Sequence, residues 1–151
     1  MAIRVQSGDF DIGEEIAILT KGRQDIGAIV TFTGCVRGGS KEGALETMTL
    51  EHYPGMTEAE LQRVEDEALA RWPLQATLII HRYGELHPGD NIVLVITASP
   101  HRKAAFEAAE FLMDYLKTRA PFWKKETKTD GSGDWVDARD ADKDELERWD
   151  V

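Results

Sequence analysis

The amino-acid sequence predicts a single α+β domain in which helices alternate with antiparallel or mixed strands. Its 151 residues make about one domain, since domains most often contain roughly 100–150 residues. Segments with helical spacing of apolar residues alternate with segments rich in β-branched residues, and no repeat or low-complexity tract interrupts them. The order of helix, strands, helix, hairpin and helix is typical of the α+β class, so residues 1–151 are interpreted as one domain.

The first part of the chain predicts a short helix followed by two strands. Apolar residues at helical spacing, starting from Ile12, predict a helix over Glu14–Thr20. The segment Gly27–Val36 is rich in β-branched and aromatic residues and predicts a strand that enters a loop at 37–40. Ala44–His52 is predicted to be its partner strand.

The second helix is predicted from a capping signal and an apolar face. In the sequence TEAE, Glu60 follows Thr57 by three residues, which predicts Thr57 as the N-cap of a capping box. The predicted apolar face consists of Leu61, Val64, Ala68 and Trp72. Pro73 is expected to end this helix.

A hairpin and a third helix follow. Thr77–Tyr83 and Ile92–Ala98 predict two strands joined through the turn HPGD. Ser99 is the predicted N-cap of the third helix and Pro100 its first residue. The apolar residues at helical spacing are Ala105, Ala109, Leu112 and Leu116. Pro121 is expected to end the helix.

Composition and charge exclude several classes of protein. The chain has 18 Lys+Arg against 28 Asp+Glu, a net charge of −10, which argues against binding to nucleic acid or to an anionic membrane. Its one cysteine excludes an internal disulfide and a CxxC metal or redox site. No secretory signal and no apolar run of ~20 residues is found, so a cytoplasmic protein without a membrane span is expected. The acidic tail, about 134–151, predicts a solvated helix or a frayed end.

Positive charge is concentrated between residues 101 and 128. Seven Lys/Arg and four acidic residues give this segment a balance of +3, so the remaining 123 residues carry −13. The cluster predicts either a site for a small anion or a solvated helix face followed by a charged loop. His101 and Arg102 favour the anion site, because they put cations at a helix start whose free N–H groups already attract anions. Exposure of both side chains to water remains the alternative.

A second basic group, Lys117 and Lys124, lies beside bulky apolar residues. Phe122 and Trp123 could desolvate a neighbouring ammonium and lower its pKa, which is how a lysine becomes an acid, base or nucleophile near neutral pH. Lys117 would lie near a helix end and Lys124 on an extended segment after Pro121, so the two could converge from different directions. Lysines in a solvated loop remain the alternative.

Five motifs resemble the family of large, catalytic subunits of molybdopterin synthase. They are FTGCVR (32–37), LEHYPGM (50–56), HRYGEL (81–86), SPHR (99–102) and MDYLKTRAPFWKKE (113–126). The resemblance implies an α/β-hammerhead fold and a homodimer that binds one small ubiquitin-like subunit at each outer end, a heterotetramer. It implies conversion of cyclic pyranopterin monophosphate into molybdopterin, with sulfur delivered as a thiocarboxylate on the Gly-Gly C-terminus of the small subunit. No cofactor and no metal are implied.

The resemblance also implies site residues, position by position. The catalytic lysines fall on Lys117 and Lys124. The substrate-binding positions fall on Cys35, Val36, Arg37, His101, Arg102, Lys117, Lys124, Lys125 and Glu126. Members of the family often have lysine where this chain has Cys35, so we expect Cys35 to be a small buried residue, with at most a backbone contact to substrate.

Helix geometry adds a prediction about assembly. Arg102 and Lys117 are fifteen residues apart on one predicted helix, which separates them by about 22 Å. They cannot line one small pocket of one chain. If both contact the same pterin, the site must be composite, with Lys117 and Lys124 from one subunit and His101 and Arg102 from its dimer mate.

Two other functions remain open at this point. A non-catalytic docking module for a ubiquitin-like sulfur carrier would keep a surface for the carrier's tail but would not need the whole set of cations. A nucleotide-binding enzyme would use the cations, but the chain has neither GxxxxGK[ST] nor GxGxxG. Ligand binding separates them, since the docking module would ignore pterin and the nucleotide enzyme would prefer ATP or GTP.

Overall fold

The computed structural model describes residues 2–38, 44–128, 131–136 and 140–150, which form two four-stranded sheets and their helices. The strands are β1 (Ala2–Gln6), β2 (Ala28–Cys35), β3 (Leu45–His52), β4 (Ala76–Arg82), β5 (Gly84–Leu86), β6 (Asn91–Ser99), β7 (Phe122–Lys128) and β8 (Gly133–Val136). The helices are α1 (Ile12–Thr20), α2 (Met56–Arg71), α3 (Arg102–Thr118) and α4 (Asp140–Glu147). The predicted α+β class is confirmed.

The first sheet has the strand order β1-β4-β6-β2 and forms the centre of the protein. β1 runs parallel to β4, while β4 with β6 and β6 with β2 are antiparallel. Ile79 and Val95 lie on the face that is covered by α2 and α3, and Leu78 and Ile96 lie on the face that is covered by α1. Because both faces of β4 and β6 are covered, these strands are continuously apolar rather than alternating.

The second sheet has the order β5-β3-β7-β8, and its neighbouring strands are antiparallel. One face is apolar, where Met48, Leu50 and Leu86 pack around Val36, the residue that follows β2. This small cluster joins the second sheet to the end of β2.

The last helix, α4, confirms the predicted helix in the acidic tail, but α4 packs against α3 and is not solvated on all sides. Leu146 is buried, and Trp149 packs edge-on against Trp72 and Phe111. The indole N–H of Trp149 also donates to Asp114 on α3. The charged tail therefore carries two apolar anchors that complete the core.

Several elements differ from the sequence prediction. β3, predicted as the partner of β2, lies in the other sheet and pairs with β5 and β7. The strand β1 was not predicted, and the short β5 interrupts the predicted hairpin and pairs with β3 in the other sheet. α2 is capped by Gly55, whose φ of 85° suits glycine, and Glu58 accepts from the Gly55 N–H. Thr57 lies buried inside the helix, where its hydroxyl donates to the Tyr53 carbonyl.

The N-cap of α3 is His101 rather than Ser99. The Ser99 hydroxyl accepts from the His101 N–H and donates to the Pro73 carbonyl. Ser99 therefore supports the start of α3 from two residues before the N-cap. Within the described residues, none of the helices is both long and apolar enough to cross a bilayer.

Candidate active site

β7 presents its lysines to opposite sides of the second sheet. Lys124 lies opposite Leu50 and Glu126 opposite Met48, and residues directly opposite each other in antiparallel strands share a face. Lys124 and Glu126 are half-buried on this apolar inner face, where the Lys124 Nζ lies 3.8 Å from the Glu126 Oε1. The carboxylate orients the ammonium without burying either group.

Lys125 does not join that pair, and its contact with substrate stays a prediction. Successive side chains of a strand point to opposite faces, so Lys125 lies on the outer face opposite Thr49 and Trp135. Its side chain is exposed there. Beside it, Tyr53 packs edge-on against Trp123, with ring centroids 4.2 Å apart.

A buried imidazole forms the floor of the inner face. His81, at the end of β4, stacks on Phe122 with ring centroids 3.7 Å apart and an interplanar angle of 17°. Its Nδ1 lies 2.8 Å from the Arg82 carbonyl oxygen. Burial is the main cause that lowers the pKa of His81 to about 4, and the nearby charges of Lys117 and His52 contribute in the same direction. The imidazole is therefore neutral at neutral pH.

Lys117 and Lys124 both border this His81–Phe122 stack. Lys117 is the last residue but one of α3 and its charge acts on His81, while Lys124 follows Phe122 by two residues on the same face of β7. The prediction that one lysine lies near a helix end and the other on an extended segment after Pro121 is confirmed. The two elements approach one apolar floor from different directions.

Residues 35–37 lie at the end of β2 nearest the second sheet. The prediction that Cys35 is buried is wrong: β2 is an edge strand, its register shifts between Gly34 and Cys35, and the thiol is exposed 3.5 Å from the Asn91 Oδ1. Val36 is only 2% exposed, its N–H donates to the Asp90 carbonyl, and its own carbonyl accepts from Gly89. In this structure the Val36 side chain joins the core, and its contact with substrate stays a prediction. Arg37, next along the chain, is exposed.

His101 and Arg102 lie at the opposite end of α3. They line an open depression of about 490 Å³ together with Gly27, Pro100 and Lys103. Gly27 is required there by close approach, since a Cβ at this position would lie 2.2 Å from the Pro100 carbonyl oxygen. The depression thus combines free N–H groups of a helix start with three exposed cationic or imidazole side chains, an arrangement suited to an anion.

The structure brings together some of the predicted site residues and keeps others apart. α3 is continuous from Arg102 to Thr118, so the helix itself separates Arg102 from Lys117 by about 22 Å. The lining of the depression at Arg102 does not include Lys117. Arg37, Lys117, Lys124 and Glu126 gather around one end of β2, whereas His101 and Arg102 lie at the other.

Sequence reasoning missed the part that His81 plays. The bond between His81 and the Arg82 carbonyl is a local contact typical of a strand end, but the stack on Phe122 was not predicted. The stack joins strands from different sheets and leaves no local sequence signal. Among the described residues, no group of three or more His, Cys, Asp or Glu side chains could hold a metal ion.

Comparison with known proteins agrees with this architecture. The family described as MoaE protein matches residues 5–119. The molybdopterin synthase catalytic subunit of Mesorhizobium japonicum is 59% identical over 148 residues, which are 97% of this chain and 92% of that protein. The molybdopterin biosynthesis MoaE protein of Burkholderia ambifaria superposes with a TM-score of 0.83 at 51% identity and covers 100% of this chain and 99% of its own.

A more distant solved structure has the same fold. The molybdopterin synthase of Staphylococcus aureus superposes with a TM-score of 0.81 at 33% identity, covering 88% of this chain and 95% of that one. With the family match extending over most of the sequence, the chain belongs to the MoaE family, that of the molybdopterin synthase catalytic subunits.

Proposed function

We propose that the chain is the catalytic subunit of a cytoplasmic molybdopterin synthase. It would transfer sulfur from the C-terminal thiocarboxylate of a small ubiquitin-like subunit to cyclic pyranopterin monophosphate, forming the dithiolene of molybdopterin. The observation that carries the proposal is the placement of two lysines beside the neutral His81–Phe122 stack: the charge of Lys117 acts on His81, and Lys124 lies on the same face of β7 as Phe122. Two cations held over an apolar surface suit a reaction in which an anionic sulfur donor meets an anionic substrate.

Each lysine has a distinct task in this proposal. When the thiocarboxylate sulfur bonds to a side-chain carbon of the pterin, the oxygen that leaves that carbon needs a proton, and Lys117 donates it. Water then attacks the acyl carbon, the carbon–sulfur bond to the tail breaks, and sulfur stays on the pterin while the tail leaves as a carboxylate. Lys124, oriented by Glu126, stabilises the negative oxygen that forms on the acyl carbon.

The phosphate of the substrate would be bound by residues from two chains. His101 and Arg102 suit a phosphate, because a helix start and an arginine both form charge-assisted hydrogen bonds with it. The length of α3 places them too far from Lys117 of the same chain. A second copy of the chain therefore supplies them, and Arg37 of the first copy completes the set of cations around the substrate.

The direct test is reconstitution with cyclic pyranopterin monophosphate and a thiocarboxylated small subunit, with dithiolene product measured in single turnovers. We expect product from the wild type and a loss of about 10²- to 10⁴-fold in Lys117→Ala, the usual worth of a positioned proton donor. Lys21→Ala is the matched control, because Lys21 is an exposed lysine at the end of α1. It should keep wild-type activity.

Two results would separate this proposal from its competitors. Folded wild type that binds the small subunit but forms no product would contradict the enzyme assignment and favour a docking module. In reactions stopped at partial turnover, a covalent adduct between Lys117 and the C-terminus of the small subunit, detected by its mass, would show that this lysine is a nucleophile rather than a proton donor.

A further inference from the structure

One of the sequence motifs, LEHYPGM (50–56), supplies no residue to the reaction described above. His52 of this motif lies opposite Phe122 in the register of β3 and β7, so its side chain belongs to the inner face of the second sheet. Its ring centroid lies 4.6 Å from that of Tyr83 and 6.1 Å from that of Phe122. A second imidazole therefore borders the same apolar floor as His81.

The hydrogen bonds around His52 determine which of its ring nitrogens carries the proton. The Thr57 hydroxyl donates to the Tyr53 carbonyl at 2.9 Å, and a hydroxyl has only one hydrogen to donate. The His52 Nδ1 lies 3.2 Å from the same hydroxyl oxygen, so Nδ1 must be the donor in that contact. In the neutral ring, the lone pair is then on Nε2. Because Thr57 is fully buried in α2, this arrangement is held by the core.

The Nε2 of His52 is available to accept a proton from water. No group in the described part of the chain bonds to it, and the half-buried ring leaves it within reach of solvent. The other imidazole is less suitable, although the Nδ1 of His81 is also hydrogen-bonded to an acceptor. His81 is only 7% exposed, and burial lowers its pKa to about 4, which makes it a weak base.

His52 also lies near the lysine that was assigned to the acyl carbon. Lys124 follows Phe122 by two residues on β7, so it is diagonal to His52 across the two strands. Diagonal neighbours of this kind are roughly 7–8 Å apart, which long side chains and rings can span. A water molecule between the two side chains is thus within reach of both.

We propose that His52 is a further catalytic residue, the general base for the hydrolysis that releases the spent tail of the small subunit. The inference rests on the proposed function. The Nε2 of His52 takes a proton from water while the water oxygen bonds to the acyl carbon, and Lys124 stabilises the negative oxygen that forms. The carbon–sulfur bond then breaks, and its electron pair stays on the sulfur of the pterin. The tail leaves as a carboxylic acid, and both this acid and the imidazolium lose their protons to solvent.

Single turnovers test the base separately from the first sulfur transfer. His52→Asn keeps an N–H donor close to the position of Nδ1 but has no base, so the thioester that joins the small subunit to the pterin should form and persist. Its decay, followed by the mass of the intact small subunit, should be about 10²-fold slower than in the wild type. His87→Asn, which changes an exposed histidine, is the matched control and should release the tail at the wild-type rate.

Rescue by free imidazole distinguishes a missing base from a structural defect. In His52→Ala, which leaves room for the ring, added imidazole should speed the decay of the thioester in proportion to its concentration, with no effect on the wild type. Decay at the wild-type rate in His52→Asn would overturn the proposal, as would slow decay in His52→Ala that imidazole does not change. Product from the wild type would uphold the proposed function in both cases, whereas neither thioester nor product from the wild type would overturn both proposals.

The tautomer of His52 gives a test that needs no substrate. Long-range ¹H–¹⁵N NMR spectra of the wild type at alkaline pH distinguish a ring with its proton on Nδ1 from one with its proton on Nε2, and His52→Asn assigns the signal by removing it. We expect the proton on Nδ1. A proton on Nε2 would overturn the proposal, because that atom could not then accept one from water.

Discussion

The two ends of α3 carry cations in opposite physical settings. At its start, His101 and Arg102 are exposed, and the backbone alone builds the depression that holds them, through the contact of Gly27 with Pro100. At its end, Lys117 is also exposed, but its charge acts on a buried imidazole that stacks on a phenyl ring. The start suits binding of a hydrated phosphate, and the end suits chemistry in which charge develops beside an apolar surface. One helix thus carries a binding half and a reacting half.

Removing Lys124, the lysine of β7 that faces inward, should greatly weaken the reacting half. We expect Lys124→Ala to lower the rate of product formation about 10²- to 10³-fold, the usual cost of losing one stabilising donor for an oxyanion. Lys125→Ala is its control, because the neighbouring lysine lies on the outer face of β7. Equal losses in the two variants, measured in single turnovers, would contradict the division of β7 into two faces.

The two halves can also be broken separately and then combined. Lys117→Ala and Arg102→Ala should each be nearly inactive, yet after subunit exchange a mixed dimer holds one intact site and one doubly defective site. Random exchange makes half of all dimers mixed, so roughly a quarter of wild-type activity should return. Activity of the mixture that stays at the average of the two variants would show that each site uses one chain only.

A displacement of the backbone at the start of α3 should weaken substrate binding. Gly27→Ala forces the Pro100 carbonyl to move, because the new Cβ would lie 2.2 Å from its oxygen, and this displaces the start of α3. We expect KM for the pterin to rise about tenfold with kcat nearly unchanged, the cost of one charge-assisted hydrogen bond. Gly8→Ala, where a Cβ meets nothing within 4 Å, is the control. A fall in kcat with constant KM would contradict the assignment of this end to binding.

Burial of His81 in the reacting half should make the free energy of unfolding depend on pH. Above pH 6.5 His81 is neutral in both the folded and the unfolded chain, so it contributes no slope. Between pH 6.5 and about 4 the unfolded chain binds the proton first, so the free energy of unfolding falls as the pH falls, by about 3 kcal/mol in all.

His81→Phe lacks that proton and keeps an aromatic ring against Phe122. As the pH falls from 6.5 to 4, its free energy of unfolding, measured in urea at each pH, should therefore decrease less than that of the wild type. The exposed His87 provides a control variant, His87→Phe, which should follow the wild type through the same interval. Parallel curves for His81→Phe and wild type would mean that His81 is not held neutral by burial.

Local signals in the sequence predicted the reacting half better than its surroundings. Pro121 and the apolar repeat of α3 fix where the helix ends and the strand begins, and both act within a few residues. The alternation of side chains along a strand places Lys125 on the face opposite to Lys124 and Glu126, although the three residues form one run in the sequence.

The errors all involve contacts between distant parts of the chain. Cys35 is exposed because β2 is at the edge of its sheet in the described part of the chain, and the sequence of β2 does not determine its place in the strand order. Thr57 resembles an N-cap, but Gly55 can adopt the positive φ that begins the helix two residues earlier. Trp149 is an anchor only because Trp72 and Phe111 meet it from α2 and α3.

The packing of Trp149 has a consequence for how the protein is made. The main core takes Ile3 and Val5 from β1 and Leu146 and Trp149 from the end of the described chain. A ribosome must therefore release residues separated by more than 140 positions before this core can close. Until then, part of the apolar faces of α2 and α3 stays exposed, so we expect chaperones to bind the chain during synthesis rather than after it.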